Sequence, residues 1–158
     1  MRESLFQQFA LSILKLHQQQ TAKSWLAVQQ GEESAVFSSP YAHIDGNYYF
    51  AVPSDCPNMQ EHGIVLIEDE AGEMQLSWVG NTREVACTEC VYRDACAALC
   101  RRGKISEANL DGSRVVEFCP AQGRLNIGNQ DSALSPQHLR RALYPANERL
   151  QEFVEDAG

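Results

Sequence analysis

Four of the six cysteines in this 158-residue chain fall within one short stretch, "CTECVYRDACAALC", from Cys87 to Cys100. Their spacing is C-x2-C-x5-C-x3-C. Thiolates two residues apart can chelate one metal from a tight turn, and a second pair completes a tetrahedral sulfur site. Cys87 and Cys90 form the first pair. Cys96 and Cys100, four residues apart, share one face of a helix, and Cys119, before Pro120, is a candidate fifth ligand. Packing offers the other account. Free cysteine is among the most buried residue types, and a helix would hold Cys96 and Cys100 away from Cys87. Iron–sulfur or zinc ligation through Cys87, Cys90, Cys96 and Cys100 and simple core packing therefore both stay open. Cys56, alone before Pro57, reads as structural.

Other reactive constellations are thin. The run Glu68-Asp69-Glu70 offers carboxylates for a cation, although such a run more often ends a strand in solvent. The chain has no Gly-rich phosphate loop, no G-x-S-x-G, no H-E-x-x-H and no basic patch with interleaved aromatics. A net charge of -8 argues against generic binding to nucleic acid or to an anionic membrane surface. The charge is uneven: only Arg2, Lys15 and Lys23 are basic before Arg83, against ten acidic residues, whereas ten basic and eleven acidic residues follow from Arg83 onward. A phosphate-bearing ligand must therefore draw its cations from Lys23 or from the second half. No apolar run is long enough to span a membrane, and the amphipathic start lacks the continuous apolar stretch of a signal peptide. The expected location is the cytoplasm, with the cysteines mostly reduced.

These side chains need a scaffold, and the periodicity supplies one. Leu5, Phe6, Phe9, Ile13 and Leu16 recur at helical spacing over residues 4–20. "KSWLAVQQ" alternates with Trp25, Ala27 and Gln29 on one face. "SAVFSSPYAHI" and "NYYFAVP" read as two strands joined by the hairpin signal Asp45-Gly46. "SDCPNMQEHG" is a polar break with room for a short helical turn. "IVLIEDE" and "MQLSWVGNTREVA" are further strands, the second with a bulge or bend at Gly80. Residues 89–102 suit a helix stopped by Gly103, with Arg101 and Arg102 at its negative end. Asp111-Gly112 marks a turn, "SRVVEFCP" and "GRLNIG" are strands, and Ser135-Pro136 starts a last helix that Tyr144-Pro145 ends or kinks. Short antiparallel strands with tight turns predict a small closed barrel with helices at its ends.

The stretches "LAVQQGEE", "IDGNYYF", "VLIEDEA", "QLSWVG" and "VVEFCPAQGRLNIGNQDSALS" together resemble the flavin-binding split-barrel superfamily, pyridoxamine 5′-phosphate oxidase-like, and its haem-utilisation branch. The likeness runs over residues 5–143. It implies a mainly β fold with α: a split β-barrel of six to seven antiparallel strands with flanking helices. Residues 1–158 would form one domain, with an N-terminal helix (1–22), barrel strands (23–86), a Cys-rich crossover helix (87–104), and closing strands with a C-terminal helix (113–158). It further implies a homodimer that buries one sheet face and places its ligand at the interface, with FMN or haem as that ligand and an FMN-dependent oxidoreductase as the enzymatic form.

By the same resemblance, Ser38 and Ser39 fall where family strands contact the flavin, Phe50 and Val52 on the strand lining its ring, and Ser77 on the phosphate-binding threonine. The chain departs from the pattern at Gln75, where the family has arginine, and around Asn58, where the usual H-x-x-N does not align. A flavin phosphate carries close to two negative charges and needs compensation. A non-enzymatic barrel with a degenerate flavin site is therefore the second reading. Haem ligation would need His or Cys; His17 and His43 read as solvated, and His62 and His138 are candidates by position. The third reading is an iron–sulfur or zinc module. Residues 87–119 are similar in spacing to the auxiliary-cluster segment of radical SAM enzymes, without the C-x3-C-x2-C motif of their core.

Overall fold

The computed structural model describes residues 2–18, 23–30, 32–53, 62–103 and 113–143. The expected helical turn with Cys56 and Asn58, the Asp111-Gly112 turn and the Tyr144-Pro145 helix end lie outside the described residues, as do the side chains of Leu5, Phe6 and Phe9. In chain order the elements are α1 (Arg2–Gln18), β1 (Lys23–Gln30), β2 (Glu33–Ser38), β3 (Tyr41–Ile44), β4 (Asn47–Pro53), β5 (His62–Glu68), β6 (Met74–Val85), α2 (Cys90–Gly103), β7 (Ser113–Ile127), β8 (Gln130–Leu134) and α3 (Pro136–Leu143).

The strands form one curled antiparallel sheet in the order β2-β1-β5-β6-β7-β4-β3, with β8 pairing β7. This is the split barrel expected from the sequence. Three strand boundaries differ from the sequence reading, each for a local reason. Ser39-Pro40 divides one expected strand into β2 and β3, because proline has no amide hydrogen for a ladder. The two expected closing strands are one long β7, which continues through a register shift opposite Val79 and Gly80. That shift is the expected bend at Gly80: a Cβ there would meet the Cys119 carbonyl and the Phe118 ring, so only glycine fits. β8 is an added hairpin partner, turned at Gly128.

The β3–β4 hairpin turns at Asp45 (φ 51°) and Gly46 (φ 91°). Positive φ at both central residues matches the right-handed twist of the strands it joins. At the other end of the chain, the Ser135 hydroxyl accepts the His138 amide (3.3 Å) and Pro136 takes the first position of α3.

Alternation sorts the sheet into two faces. The inner face carries Leu26, Phe50, Val52, Val65, Ile67, Leu76, Trp78, Val116, Phe118 and Leu125, which pack with Ile13 and Leu16 of α1 and Leu139 of α3. In β1 the residues facing inward are Ser24, Leu26 and Val28, so Trp25 and Ala27 stand on the outer face. α2 covers part of the outer face. Its Ala95 and Leu99 close over Ala42, Tyr49, Val85 and Val115 of β3, β4, β6 and β7.

Candidate functional site

The outer face not covered by α2 is ordered by strand register. One row reads Ser38, Trp25, Leu66, Ser77, Arg124, Ala133 across β2, β1, β5, β6, β7 and β8. The next reads Val36, Ala27, Ile64, Val79, Gln122, and a third places His62, Asn81 and Cys119 side by side. Val36, Ile64 and Val79 are 68%, 50% and 53% exposed. Directly paired residues point to the same side of a sheet, so these three and half-buried Trp25 and Leu66 form one apolar strip rather than scattered exposures.

Along its β6–β7–β8 edge the strip opens into a cleft of about 300 Å³, lined by Ser77, Val79, Gln122, Gly123, Arg124, Ala133 and Leu134. Behind it the sheet is tight: a Cβ on Gly123 would point inward and meet the buried Trp78 ring. Arg124 donates to Asp131 at 2.8 Å. Its positive charge is thus already countered by a carboxylate.

The sequence-predicted residues divide between the faces. Ser38 and Ser77 share the first outer row, separated by Trp25 and Leu66. Ser39 donates its hydroxyl to the Pro40 carbonyl (3.0 Å), and its own carbonyl accepts the Ser24 hydroxyl. Phe50 and Val52 are fully buried in the barrel core. Among the described residues no three His, Cys, Asp or Glu side chains gather as a metal-binding group. Cys87, Cys90 and Cys119 are exposed, while Cys96 and Cys100 are half-buried on α2.

Two histidines correct the sequence reading. His17 is not solvated but only 5% exposed. Its Nδ1–H donates to the Ile13 carbonyl (2.7 Å), so Nε2 carries the lone pair and accepts the Tyr48 hydroxyl (2.7 Å). Tyr48 in turn accepts the Trp78 indole N–H at 3.1 Å. The chain of donors satisfies each buried polar group, which is what burial demands. Ile13 and His17 lie four apart on the α1 stripe, and that spacing was the available signal. His43 is half-buried, edge-on to Tyr48 at 4.8 Å. His138 caps α3, its Nδ1 accepting the Ser135 amide.

His62 is different. It is exposed, and its Nδ1 meets the Asn81 Oδ1 at 3.2 Å. The amide oxygen only accepts, so Nδ1 carries the proton and Nε2 keeps a lone pair. A ring held in this way is oriented for a metal or a proton. Sequence position suggested His62 only weakly, because its partner is nineteen residues away and across a strand.

Where α2 meets the sheet, the polar groups form a closed network. Arg83 grips Glu117 through two nitrogens (2.9 and 3.2 Å) and Glu89 at 2.8 Å. Tyr49 donates to Glu117 at 2.6 Å, and Glu89 accepts the Ala86 amide at 2.7 Å. Burial, then Glu117, pushes the Tyr49 phenol above its ordinary range. Glu117 and then Glu89 hold Arg83 more firmly charged. The Ala86 amide, then Arg83, pulls Glu89 below the usual carboxylate value. These groups fasten the start of α2, and they leave the bare outer face to the remaining residues.

Neither the sequence profiles of protein families nor the sequences of curated proteins match this chain. Solved structures do. A heme binding protein from Mycobacterium smegmatis superposes with a TM-score of 0.67 at 10% identity, over 82% of this chain and 59% of that one. The chain thus spans under two thirds of that protein's length. HutZ, the heme storage protein from Vibrio cholerae, gives 0.60 at 14% identity, over 73% and 92%. A Clostridium acetobutylicum protein related to general stress protein 26, of the pyridoxinephosphate oxidase family, gives 0.61 at 9% identity, over 84% and 97%. No helix among the described residues is long and apolar enough to cross a membrane. The chain shares the split-barrel fold of these proteins.

Proposed function

We propose that this chain is a haem-handling split barrel that holds its ligand on the bare outer face, covered by a second copy of itself. The observation that carries the reading is His62, exposed on that face, whose Nδ1–H is held by Asn81 so that Nε2 keeps a lone pair. Haem suits that donor set: imidazole is a haem ligand, and the neighbouring row supplies the apolar Ile64 and Val79 for the macrocycle. Haem would contribute an iron centre capable of redox and ligand exchange. The protein's part is to orient His62 and exclude water with the apolar row. Heme-binding and heme-storing relatives in fold support the choice. A second copy follows because a planar ligand on an open sheet would leave its other side, and the Val36–Ile64–Val79 strip, in water.

Flavin is the second reading, favoured by the cleft beside Ser77 and Arg124. Its phosphate is poorly served. Gln75 replaces the expected arginine, and Arg124 already serves Asp131. On this reading FMN binds weakly, and an oxidoreductase activity would depend on flavin added from solution.

Titration with hemin, followed by its absorption, tests the assignment. His62→Ala should lose the bound spectrum, and Asn81→Ala should weaken binding about tenfold, as loss of a ligand's orienting partner does. An unchanged spectrum in His62→Ala would remove His62 from the site. Fluorescence quenching of FMN that disappears in Ser77→Ala would favour flavin instead.

A further inference from the structure

The haem reading uses none of the cysteines, yet two of them are placed for a reaction of their own. We propose that Cys87 and Cys90 form a reversible dithiol–disulfide pair, a redox site at the rim of α2 that exchanges with low-molecular-weight disulfides. The proposal stands whichever ligand the outer face takes.

Three observations carry it. Both thiols are exposed, whereas Cys96 and Cys100 are half-buried beyond them on the same helix. The backbone between them winds tightly: Glu89 N–H donates to the Ala86 carbonyl (3.0 Å) and Tyr92 N–H to the Glu89 carbonyl (3.1 Å). Residues three apart on such a winding are neighbours, with Cβ atoms about 5–6 Å apart. A disulfide needs Cβ atoms about 3.5–4.5 Å apart, so forming it requires Cys87, in the turn before the helix, to move toward Cys90. Finally, no group of three ligating side chains forms among the described residues, so two thiols without further ligands suit a disulfide better than a metal.

The intervening residue Glu89 is held by Arg83 and by the Ala86 amide. The network that docks α2 therefore reaches into the turn between the two cysteines through the Glu89 side chain, with Cys87 itself outside it. The step balances with glutathione disulfide as oxidant. One protein thiolate attacks it, releasing one glutathione thiol and leaving a mixed disulfide. The second protein thiolate displaces the other glutathione, forming the Cys87–Cys90 bond. Two protein thiols are oxidised, one small disulfide is reduced, and the two protons end on the glutathione thiols.

The test uses the full chain in glutathione redox buffers, quenched by alkylation and mapped after trypsin. Cleavage after Arg83 and Arg93 isolates residues 84–93, which contain Cys87 and Cys90 and no other cysteine. The expected result is that this peptide loses two hydrogens under oxidised glutathione and regains alkylation under reduced glutathione. Cys87→Ser and Cys90→Ser should each trap one glutathione on the remaining thiol, whereas the wild-type chain traps none. The proposal is overturned if residues 84–93 stay fully alkylated under oxidising conditions. It is equally overturned if glutathione adducts accumulate on the wild-type peptide, or if its thiols resist alkylation until a chelator releases zinc or iron.

Discussion

The outer face of one sheet meets two fates. Over β3, β4, β7 and the far end of β6 it is covered from within the chain, where Leu99 and Ala95 of α2 close on Tyr49, Val85 and Val115. Over β2, β1, β5 and β6 it stays open, and Val36, Ile64 and Val79 stand in register with more than half or about half of their surface in water. The two regions share strand chemistry and alternation. They differ in what the chain places above them. Where the segment after β6 becomes α2, the face is core; where none of the described helices lies over it, the same kind of residues stay at the surface. Contiguous apolar strips of this kind mark interaction sites in soluble proteins.

Three changes break or sharpen this contrast. The largest effect is expected from Leu99→Ala, which opens a cavity under α2 and should cost about 2–5 kcal/mol in urea unfolding. A loss within the scatter of surface changes would mean that α2 does not seal its half. Ile64→Lys should do the opposite. It should leave the monomer's unfolding free energy in urea within about 0.5 kcal/mol while converting the proposed dimer to a monomer in sedimentation, because a charge is placed in the bare strip. A dimer that survives Ile64→Lys would place its interface elsewhere. The smallest effect concerns pH. Glu89 is held below its usual value of 4.5 by the Ala86 amide and Arg83. A depressed carboxylate adds stability that is complete above that ordinary value and fades as pH falls through the lower folded one. Glu89→Gln should therefore flatten the acid limb of a stability profile below about pH 4.5 and change little near neutrality; an unaltered acid limb would show that this anchor does not couple to folding.

The legible parts of the fold were those governed by neighbours in the chain. Asp45-Gly46 announced its hairpin because only a few residues accept positive φ twice in succession. Ser135-Pro136 announced α3 because capping and proline geometry act within one turn. Gly80 announced a bend, and the close Cys119 carbonyl shows why. Site residues were less legible. Ser38 and Ser77 lie thirty-nine positions apart, and only the pairing of β2, β1, β5 and β6 puts them on one row. Phe50 and Val52, expected from the resemblance to line a flavin ring, lie on β4, where the alternation turns both into the core.

The cysteines show the same boundary. The pattern over residues 89–102 predicted the helix that the structure places at Cys90–Gly103, and the spacing put Cys96 and Cys100 on one of its faces, since helical period is a local property. Whether four thiols converge is a question of distance across turns, which spacing leaves open. The histidines divide likewise. The sequence placed His17 four residues from Ile13 on a helix, but its burial against Tyr48 and Trp78 required α1 to close the barrel. His62 read from the sequence as part of a polar break; the structure puts it at the start of β5, where β6 brings Asn81 beside it. Local dihedral preferences and side-chain period thus set the elements of this protein. Which of their faces meet was decided by long-range pairing and burial, because hydrophobic contact and hydrogen-bond satisfaction act between residues that the chain itself keeps far apart.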